Sequence, residues 1–190
     1  MKAPRLGQVK SRLAAGIGAP AALRFYRFTT VWLLRRLGAD KRWRVTLAVT
    51  PSRDRAARFW PAAIPRFDQG LGDLGRRMTR AFAALSPGPV VIVGSDIPDL
   101  RAGHVAAAFR ALGSHDAVLG PASDGGYWLI GLKRTRPLQR GLFARMRWST
   151  SHALADTRAS LPRRWTVALL QQLDDVDTAE DYRRWQKRLD

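Results

Sequence analysis

Apolar residues recur along the chain with two spacings, one typical of helices and one typical of strands. In Ala19–Leu37 they return every few positions, which predicts a helix that ends before Gly38. The run Val90–Val93 consists of β-branched residues between Pro89 and Gly94, which predicts a central parallel strand buried on both faces. The same patterns predict helices at Asp54–Trp60, Leu74–Leu85, Ala102–Leu112, Ser151–Ser160 and Ala179–Leu189, and strands at Arg44–Val49, Ala117–Leu119, Tyr127–Leu132 and Thr166–Leu170.

Helices and strands alternate in this order, which predicts a three-layer α/β/α fold with helices on both faces of a mainly parallel sheet. No internal repeat or linker-like segment interrupts the pattern, so we expect a single domain over residues 1–190. The basic loop Lys2–Arg12 comes before every predicted strand, whereas phosphate-binding loops in α/β folds normally follow one. Either the fold lacks its first strand here or the sequence begins after it.

The composition indicates a folded protein without a membrane span. The chain has 190 residues, of which 46% are hydrophobic, and this is enough to bury a core. It contains no cysteine, which excludes disulfides and thiolate metal sites. No apolar stretch approaches the roughly 20 residues that cross a bilayer, and the first residues contain no apolar signal core. We therefore expect a cytoplasmic location.

Positive charge is in large excess. Lys and Arg total 33 against 15 Asp and Glu, which gives a net charge of +18. Such an excess attracts polyanions, namely nucleic acid, anionic membrane or phosphorylated ligands. The basic residues are spread along the chain without a basic tail, which favours a solvated arginine-rich surface over a nucleic-acid-binding one.

Two acidic motifs are candidates for a metal site. Asp96 follows the β-branched strand, at the sheet edge where open α/β folds bind ligands, and Mg²⁺ prefers such hard oxygen ligands. Asp99 is better explained as the cap of the next helix. Within Asp174–Asp181, Asp177 is either a second carboxylate on the same metal or, together with Thr178, the cap of the last helix.

The N-terminal loop is a candidate phosphate-binding segment. Lys2, Arg5, Lys10 and Arg12 surround Gly7, and cationic side chains on a loop suit a diphosphate or a triphosphate. A disordered basic N-terminus is the competing interpretation.

Two glycine-rich segments have ambiguous roles. Gly120–Gly131 contains the turn Asp124–Gly126, which is either an ordinary hairpin turn or a place where backbone approaches a ligand. Gly70–Gly75 matches the dinucleotide fingerprint, but Pro65–Gln69 ahead of it is no apolar strand, which disfavours a redox dinucleotide site. Gln69 and the nearby backbone amides could still meet a ligand.

These segments together resemble DUF2064, a bacterial family of glycosyltransferase-like proteins within the nucleotide-diphospho-sugar transferase superfamily. The resemblance runs over nearly the whole chain. It rests on Lys2–Pro4, Gly7–Leu13, Gln69–Gly75 with Arg77 and Met78, Gly94–Leu100, Gly120–Tyr127, Trp148–Thr150 and Asp175–Thr178.

The resemblance implies a GT-A-like, Rossmann-type fold whose N-terminal half binds the nucleotide. In similar enzymes the loop after the first strand binds phosphates, which corresponds to Lys10 and Arg12 here. The residues matching Asp96 and Asp177 would hold Mg²⁺ or Mn²⁺. Relatives have an apolar strand before the lysine that matches Lys2, and this chain departs from them there.

The expected activity is metal-dependent transfer from a nucleotide-activated sugar to a small-molecule acceptor of unknown identity. Lys10 would stabilise the charge that develops, and Asp124, on the acceptor side, would be a base or an acceptor contact. The alternatives are nucleotidyl transfer from a nucleoside triphosphate with release of pyrophosphate, or a non-catalytic basic nucleic-acid-binding protein on the same fold. The residues assigned to substrate binding are Lys2, Lys10, Arg12, Gln69, Gly70, Gly125, Gly126 and Tyr127.

Overall fold

Helices and strands alternate along the chain in its computed structural model, which describes residues 1–135, 137–139, 141–144 and 146–188. The α/β class is therefore confirmed. In chain order the elements are α1 (Ser11–Ile17), α2 (Ala19–Gly38), β1 (Leu47–Val49), a 3-10 helix (Ser52–Ala56), β2 (Arg66–Asp68), α3 (Leu74–Ala83), β3 (Val90–Val93), α4 (Ala102–Ser114), β4 (Ala117–Pro121), β5 (Tyr127–Leu132), α5 (Ala153–Ser160), β6 (Val167–Leu169) and α6 (Ala179–Gln186).

The elements belong to two compact units. Unit 1 comprises Met1–Asp68, Ser95–Arg101 and Asp175–Asp190, and unit 2 comprises Gln69–Gly94 and Ala102–Asp174. The single domain over residues 1–190 stays a prediction.

Helix α2 provides much of the apolar interior of unit 1. Gly18, with a positive φ of 85°, separates it from α1, and Pro20 occupies its first turn, where the missing N–H has no intrahelical partner to lose. Its buried residues recur with helical spacing at Ala22, Phe25, Tyr26, Thr29, Thr30, Leu33, Leu34 and Leu37. Phe25 packs with Leu13 of α1 and with Val176, which joins the first two helices to the segment before α6.

Strands β1 and β2 pair in parallel over three residues each. The sequence predicts no apolar strand at Pro65–Gln69, but the structure has strand β2 within this segment. Phe67 supplies its one large apolar side chain, so backbone hydrogen bonds define this strand rather than a hydrophobic pattern. A strand therefore does precede Gly70–Gly75, and the absence of one cannot be used as an argument against a dinucleotide fingerprint there.

The start of the chain is tied to β1. Met1 donates its N–H to the carbonyl of Ala48, and Thr50 donates its N–H to the carbonyl of Met1 at 2.8 Å. These two bonds follow the pattern of neighbouring parallel strands. Ala3 is buried in the core beside them. The loop that begins at Lys2 is therefore anchored, although the sequence predicts no strand ahead of it.

Unit 2 contains a four-stranded mixed sheet in the order β3-β5-β4-β6. Strand β5 runs antiparallel to β3 and β4, whereas β4 and β6 are parallel. Of the three pairings between the described strands of this sheet, one is parallel and two are antiparallel, so the sheet is less parallel than predicted. The cause is the tight turn at Gly125 between β4 and β5, because a short connection permits only antiparallel pairing.

Strand β3 has the predicted bounds but a different environment. It is half-buried along its length and pairs antiparallel with β5, instead of being a parallel strand buried on both faces. One core cluster of unit 2 includes Met78 and Phe82 of α3 together with Leu119 and Ile130 of the sheet.

Other differences concern the ends of elements. The helix expected at Asp54–Trp60 is the shorter 3-10 helix, and the strand expected at Arg44–Val49 is confined to β1. Helix α1 was not predicted. Of the last helix, expected over Ala179–Leu189, Leu189 lies outside the described residues. Within the described part of the chain, no helix combines the length and apolarity that crossing a membrane requires.

Candidate functional site

The ammonium group of Lys10 lies between two carboxylates in unit 1. Nζ donates to Asp96 Oδ2 and to Asp177 Oδ1, each at 2.5 Å, and the Lys10 side chain is only 6% exposed. Lys10 has left-handed backbone (φ 51°) just ahead of α1, and its buried neighbours Val9 and Leu13 fix the loop on either side. Burial lowers the pKa of Lys10, but the charges of the two aspartates outweigh burial. The pKa is therefore raised, and the ammonium stays charged.

Asp175 completes a group of three carboxylates with Asp96 and Asp177. One oxygen from each residue lies within 4.8 Å of the others, and all three residues are half-buried. The N–H of Val176 donates to the carbonyl of Asp96 at 3.1 Å, and Val176 is itself buried in the core. This backbone contact brings the two distant acidic motifs together.

The cap of α6 separates the roles of the neighbouring acids. Thr178 is the N-cap and forms a capping box with Asp181, as its sequence signature predicts. The carboxylate of Asp177 instead contacts Lys10 and forms an ion pair with Arg12. The geometry therefore favours the interpretation of Asp177 as a carboxylate of the candidate site over its interpretation as a cap of the last helix.

A cavity of about 330 Å³ opens over these charges. Its lining contains five residues predicted from the sequence, namely Lys2, Lys10, Arg12, Asp96 and Asp177, together with Met1, Gln8, Val9, Ser11, Tyr26, Thr50 and Ser95. Arg12 is exposed at the rim, with 73% of its side chain accessible.

Tyr26 is a cavity residue that the sequence did not reveal. Its hydroxyl donates to the carbonyl of Lys2 at 2.8 Å and accepts from the Lys2 N–H at 3.2 Å, which holds the start of the loop. Burial is the main cause that raises the pKa of Tyr26. In the sequence, Tyr26 is only one more position on the apolar face of α2.

Arg5 has a structural contact rather than a place in the cavity lining. It pairs at 3.0 Å with Asp54, whose side chain is 3% exposed and also accepts from the N–H of Ala3. Arg5 therefore compensates a buried charge, as burial of a carboxylate requires.

The predicted acceptor-side turn belongs to unit 2. Asp124 Oδ1 accepts from the N–H of Gly126 at 2.8 Å, a local bond that closes the turn. Gly125 has a φ of 82° and lies against the backbone of Ser151, so a side chain there is excluded. The backbone conformation and the neighbouring Ser151 thus explain why the turn contains Gly125. The catalytic role of Asp124 stays a prediction.

Tyr127 follows this turn and is partly buried. Its hydroxyl accepts from Thr157 Oγ1 at 3.2 Å and contacts Met78 Sδ at 3.8 Å. Burial raises the pKa of Tyr127 to about 12. These contacts account for the tyrosine through folding, and its substrate role stays a prediction.

Gln69 and Gly70 also lie in unit 2. Arg80 donates to the carbonyl of Gln69 at 2.6 Å and to that of Leu71, and Arg77 donates to the carbonyl of Gly72 at 2.9 Å. Helix α3 thus holds the glycine loop in one conformation.

Chemically, the Lys10 cavity offers both signs of charge. The carboxylates can bind a cation, and Lys10, Arg12 and Lys2 can bind phosphate oxygens. A titratable group in a cleft whose pKa is shifted by burial and by specific charge partners, as for Lys10, marks a candidate functional site.

Several solved structures share the fold of this chain. A candidate nucleotide-diphospho-sugar transferase from Desulfovibrio desulfuricans G20 aligns with a TM-score of 0.82 and 29% identity, over 99% of this chain and 84% of that chain. Rv0371c from Mycobacterium tuberculosis H37Rv aligns with a TM-score of 0.57 and 17% identity, over 98% and 93% of the two chains. The 4-diphosphocytidyl-2C-methyl-D-erythritol synthase of Anaerococcus prevotii DSM 20548 aligns with a TM-score of 0.56 and 11% identity, over 86% and 88%.

The fold is therefore that of the nucleotide-diphospho-sugar transferases, which confirms the expected fold class. The chain belongs to DUF2064, a family described as uncharacterized proteins conserved in bacteria, which matches residues 33–150. No curated protein matches the chain.

Proposed function

We propose that this protein is a transferase that binds a nucleotide-activated sugar at the Lys10 cavity and uses a divalent cation held by Asp96 and Asp177. One observation above all supports this: residues from the basic loop and from both acidic motifs line the same cavity. The nucleotide-diphospho-sugar transferase fold supports the same class of reaction.

The donor atoms suit a hard divalent cation. Mg²⁺ and Mn²⁺ prefer carboxylate oxygens, and oxygens bound to one such ion lie at most about 4.2 Å apart. The oxygens of Asp96, Asp175 and Asp177 lie within 4.8 Å of one another, so small side-chain movements would let Asp175 join the other two. A structure of Rv0371c in complex with manganese shares this fold (TM-score 0.53, 18% identity, over 85% of each chain), which makes Mn²⁺ the first ion to test.

Three cationic residues act on the phosphates in the proposed reaction. Lys10, Arg12 and Lys2 bind and orient the phosphates, and their charges stabilise the negative charge that develops on the departing nucleoside diphosphate. A divalent cation, when bound, neutralises further charge on the same group. The proposed acceptor is a small molecule, and within unit 2 Asp124 stays the predicted acceptor contact or base. The other residues of unit 2 that the sequence predicts to bind substrate are Gln69, Gly70, Gly125, Gly126 and Tyr127.

Nucleotidyl transfer is the second candidate, because a cytidylyl-type synthase shares the fold. The products distinguish the two reactions. Sugar transfer releases a nucleoside diphosphate from a nucleotide sugar, whereas nucleotidyl transfer releases pyrophosphate from a nucleoside triphosphate.

Thermal unfolding with ligands tests the proposal. We expect at least one of UDP-, GDP- or dTDP-sugars, CTP or GTP to raise the melting temperature in the presence of Mn²⁺, because ligands that bind the folded state stabilise it. Asp96→Ala should abolish the shift. Asp40→Ala is the matched control, because Asp40 pairs with Arg42 on the surface, and it should keep the shift.

The ligand that stabilises the protein then enters an activity assay that measures nucleoside diphosphate and pyrophosphate separately. If no nucleotide stabilises the protein with either metal, and the protein instead binds DNA with a steep salt dependence, the transferase proposal is wrong. A basic nucleic-acid-binding protein on the same fold would then be the better explanation.

A further inference from the structure

The ammonium of Lys10 lies between the same carboxylates that the proposed metal requires. Both of its contacts are 2.5 Å long, and one goes to Asp96 and the other to Asp177. With 6% exposure, the Lys10 side chain fills the space between the acids rather than lying beside them in solvent.

We propose that Lys10 is a built-in counter-cation that competes with the divalent cation for Asp96 and Asp177. This inference rests on the proposed function, because it concerns the metal at that site. Lys10 holds the acids together when metal and nucleotide are absent. It gives up at least one carboxylate when the metal binds, and it then becomes available to a phosphate group.

Electrostatics require the competition. A monovalent ammonium and a divalent ion within a few ångströms repel each other strongly in a partly buried site. The ammonium is a compact point charge on a flexible four-carbon stem, so it can move without the backbone moving. Arg12 differs, because it contacts only Asp177 of this pair and its side chain is 73% exposed.

A consequence is that metal and nucleotide should assist each other. Metal binding releases the Lys10 ammonium, and a phosphate group provides the released ammonium with a new partner. By linkage, each ligand then raises the affinity for the other. Lys10 would thus position the two carboxylates before the cation binds and bind a phosphate group afterwards.

The test is a titration of the whole protein with Mn²⁺ alone, in which electron paramagnetic resonance measures the free ion. Lys10→Met removes the charge and keeps much of the side-chain length, and we expect it to bind Mn²⁺ about tenfold more tightly than wild type, or better, because the competing cation is gone. Lys10→Arg keeps the charge and should bind no more tightly than wild type. Arg42→Met also lowers the net charge by one, because it removes an arginine that pairs with Asp40 on the surface, and it should leave the affinity unchanged.

Equal or weaker Mn²⁺ binding by Lys10→Met would overturn the competition while leaving the metal site intact. Equal tightening by Lys10→Arg or by Arg42→Met would also overturn it, because the effect would then come from altered shape or from net charge. If wild type and Lys10→Met both bind no Mn²⁺, the competition is wrong together with the metal site, and nucleotide-dependent stabilisation without metal would show what remains of the proposed function. Circular dichroism verifies the folding of each variant, and Lys10→Arg provides the comparison if Lys10→Met does not fold.

Discussion

Tyr127 shows how burial changes the chemistry of a single side chain. Burial raises its pKa to about 12, and the hydrogen bond from Thr157 lowers it by less. An unfolded chain would titrate this group near 10. The folded state therefore disfavours the phenolate. Its stabilising effect is fully present below about pH 10 and is lost as the pH rises toward about 12.

We expect Tyr127→Phe to change the pH dependence of stability in a defined direction. Near pH 7 the variant should be less stable by about 1 kcal/mol, because it loses the bond from Thr157. Above about pH 10 the difference should shrink, because the free energy of unfolding of wild type falls when its unfolded state releases the Tyr127 proton and its folded state keeps it. Urea unfolding from pH 7 to pH 11 measures it, and a difference that stays constant across this range would contradict the assigned pKa.

The residues of the site differ in how far the sequence reveals them. Asp96 and Asp177 belong to short acidic motifs, and chemistry alone makes them candidates. Along the chain, Asp96 lies 86 positions and Asp177 lies 167 positions from Lys10. No local sequence pattern predicts contacts at such separations. Tyr26 stayed hidden because an aromatic residue on an apolar helix face already has a sufficient explanation in core packing. Sequence chemistry thus finds the charged groups, and tertiary contacts decide which of them form one site.

At the level of helices and strands, strong hydrophobic patterns fix the elements most reliably. Val90–Val93 and Tyr127–Leu132 have the predicted bounds, because apolar runs between turn residues have clear ends. Helix α1 was missed because it follows a left-handed lysine without a side-chain cap, and β2 was missed because it has one large apolar residue. The partners of strands are harder to predict than their positions, as β3 and β5 show.

Two glycines allow the β4–β5 turn to be tested against a matched control. Gly125 and Gly141 have nearly equal φ values of 82° and 81°, but a Cβ on Gly125 would lie 2.6 Å from Ser151 Cα, whereas one on Gly141 meets open space. Gly141→Ala should therefore cost only the left-handed strain, about 1 kcal/mol. Gly125→Ala should cost about 2–4 kcal/mol, because a steric clash is added. Equal losses in urea unfolding would show that the Ser151 backbone yields without cost.

For the whole molecule, the dominant physical feature is the excess of positive charge. Even if every one of the 15 acidic residues were paired, 18 cations would remain in excess. Their mutual repulsion destabilises the folded state most at low ionic strength, where the Debye length is about 30 Å at 0.01 M salt. Local ion pairs such as Arg147 with Asp156, at 2.7 Å, act in the opposite direction, because salt weakens their attraction.

The balance between these two terms predicts the response to salt. Repulsion involves the whole surface, whereas exposed ion pairs contribute little each, so we expect the melting temperature to rise between about 0.01 M and about 0.3 M NaCl. Calorimetry in the absence of nucleotide and metal measures the shift, and sucrose at matched osmolality serves as a control for effects other than charge screening. A melting temperature that falls with NaCl would mean that specific ion pairs outweigh the net charge. The arginine-rich surface would then stabilise the fold through its ion pairs. A polyanionic ligand could then not be expected to stabilise the protein by reducing charge repulsion.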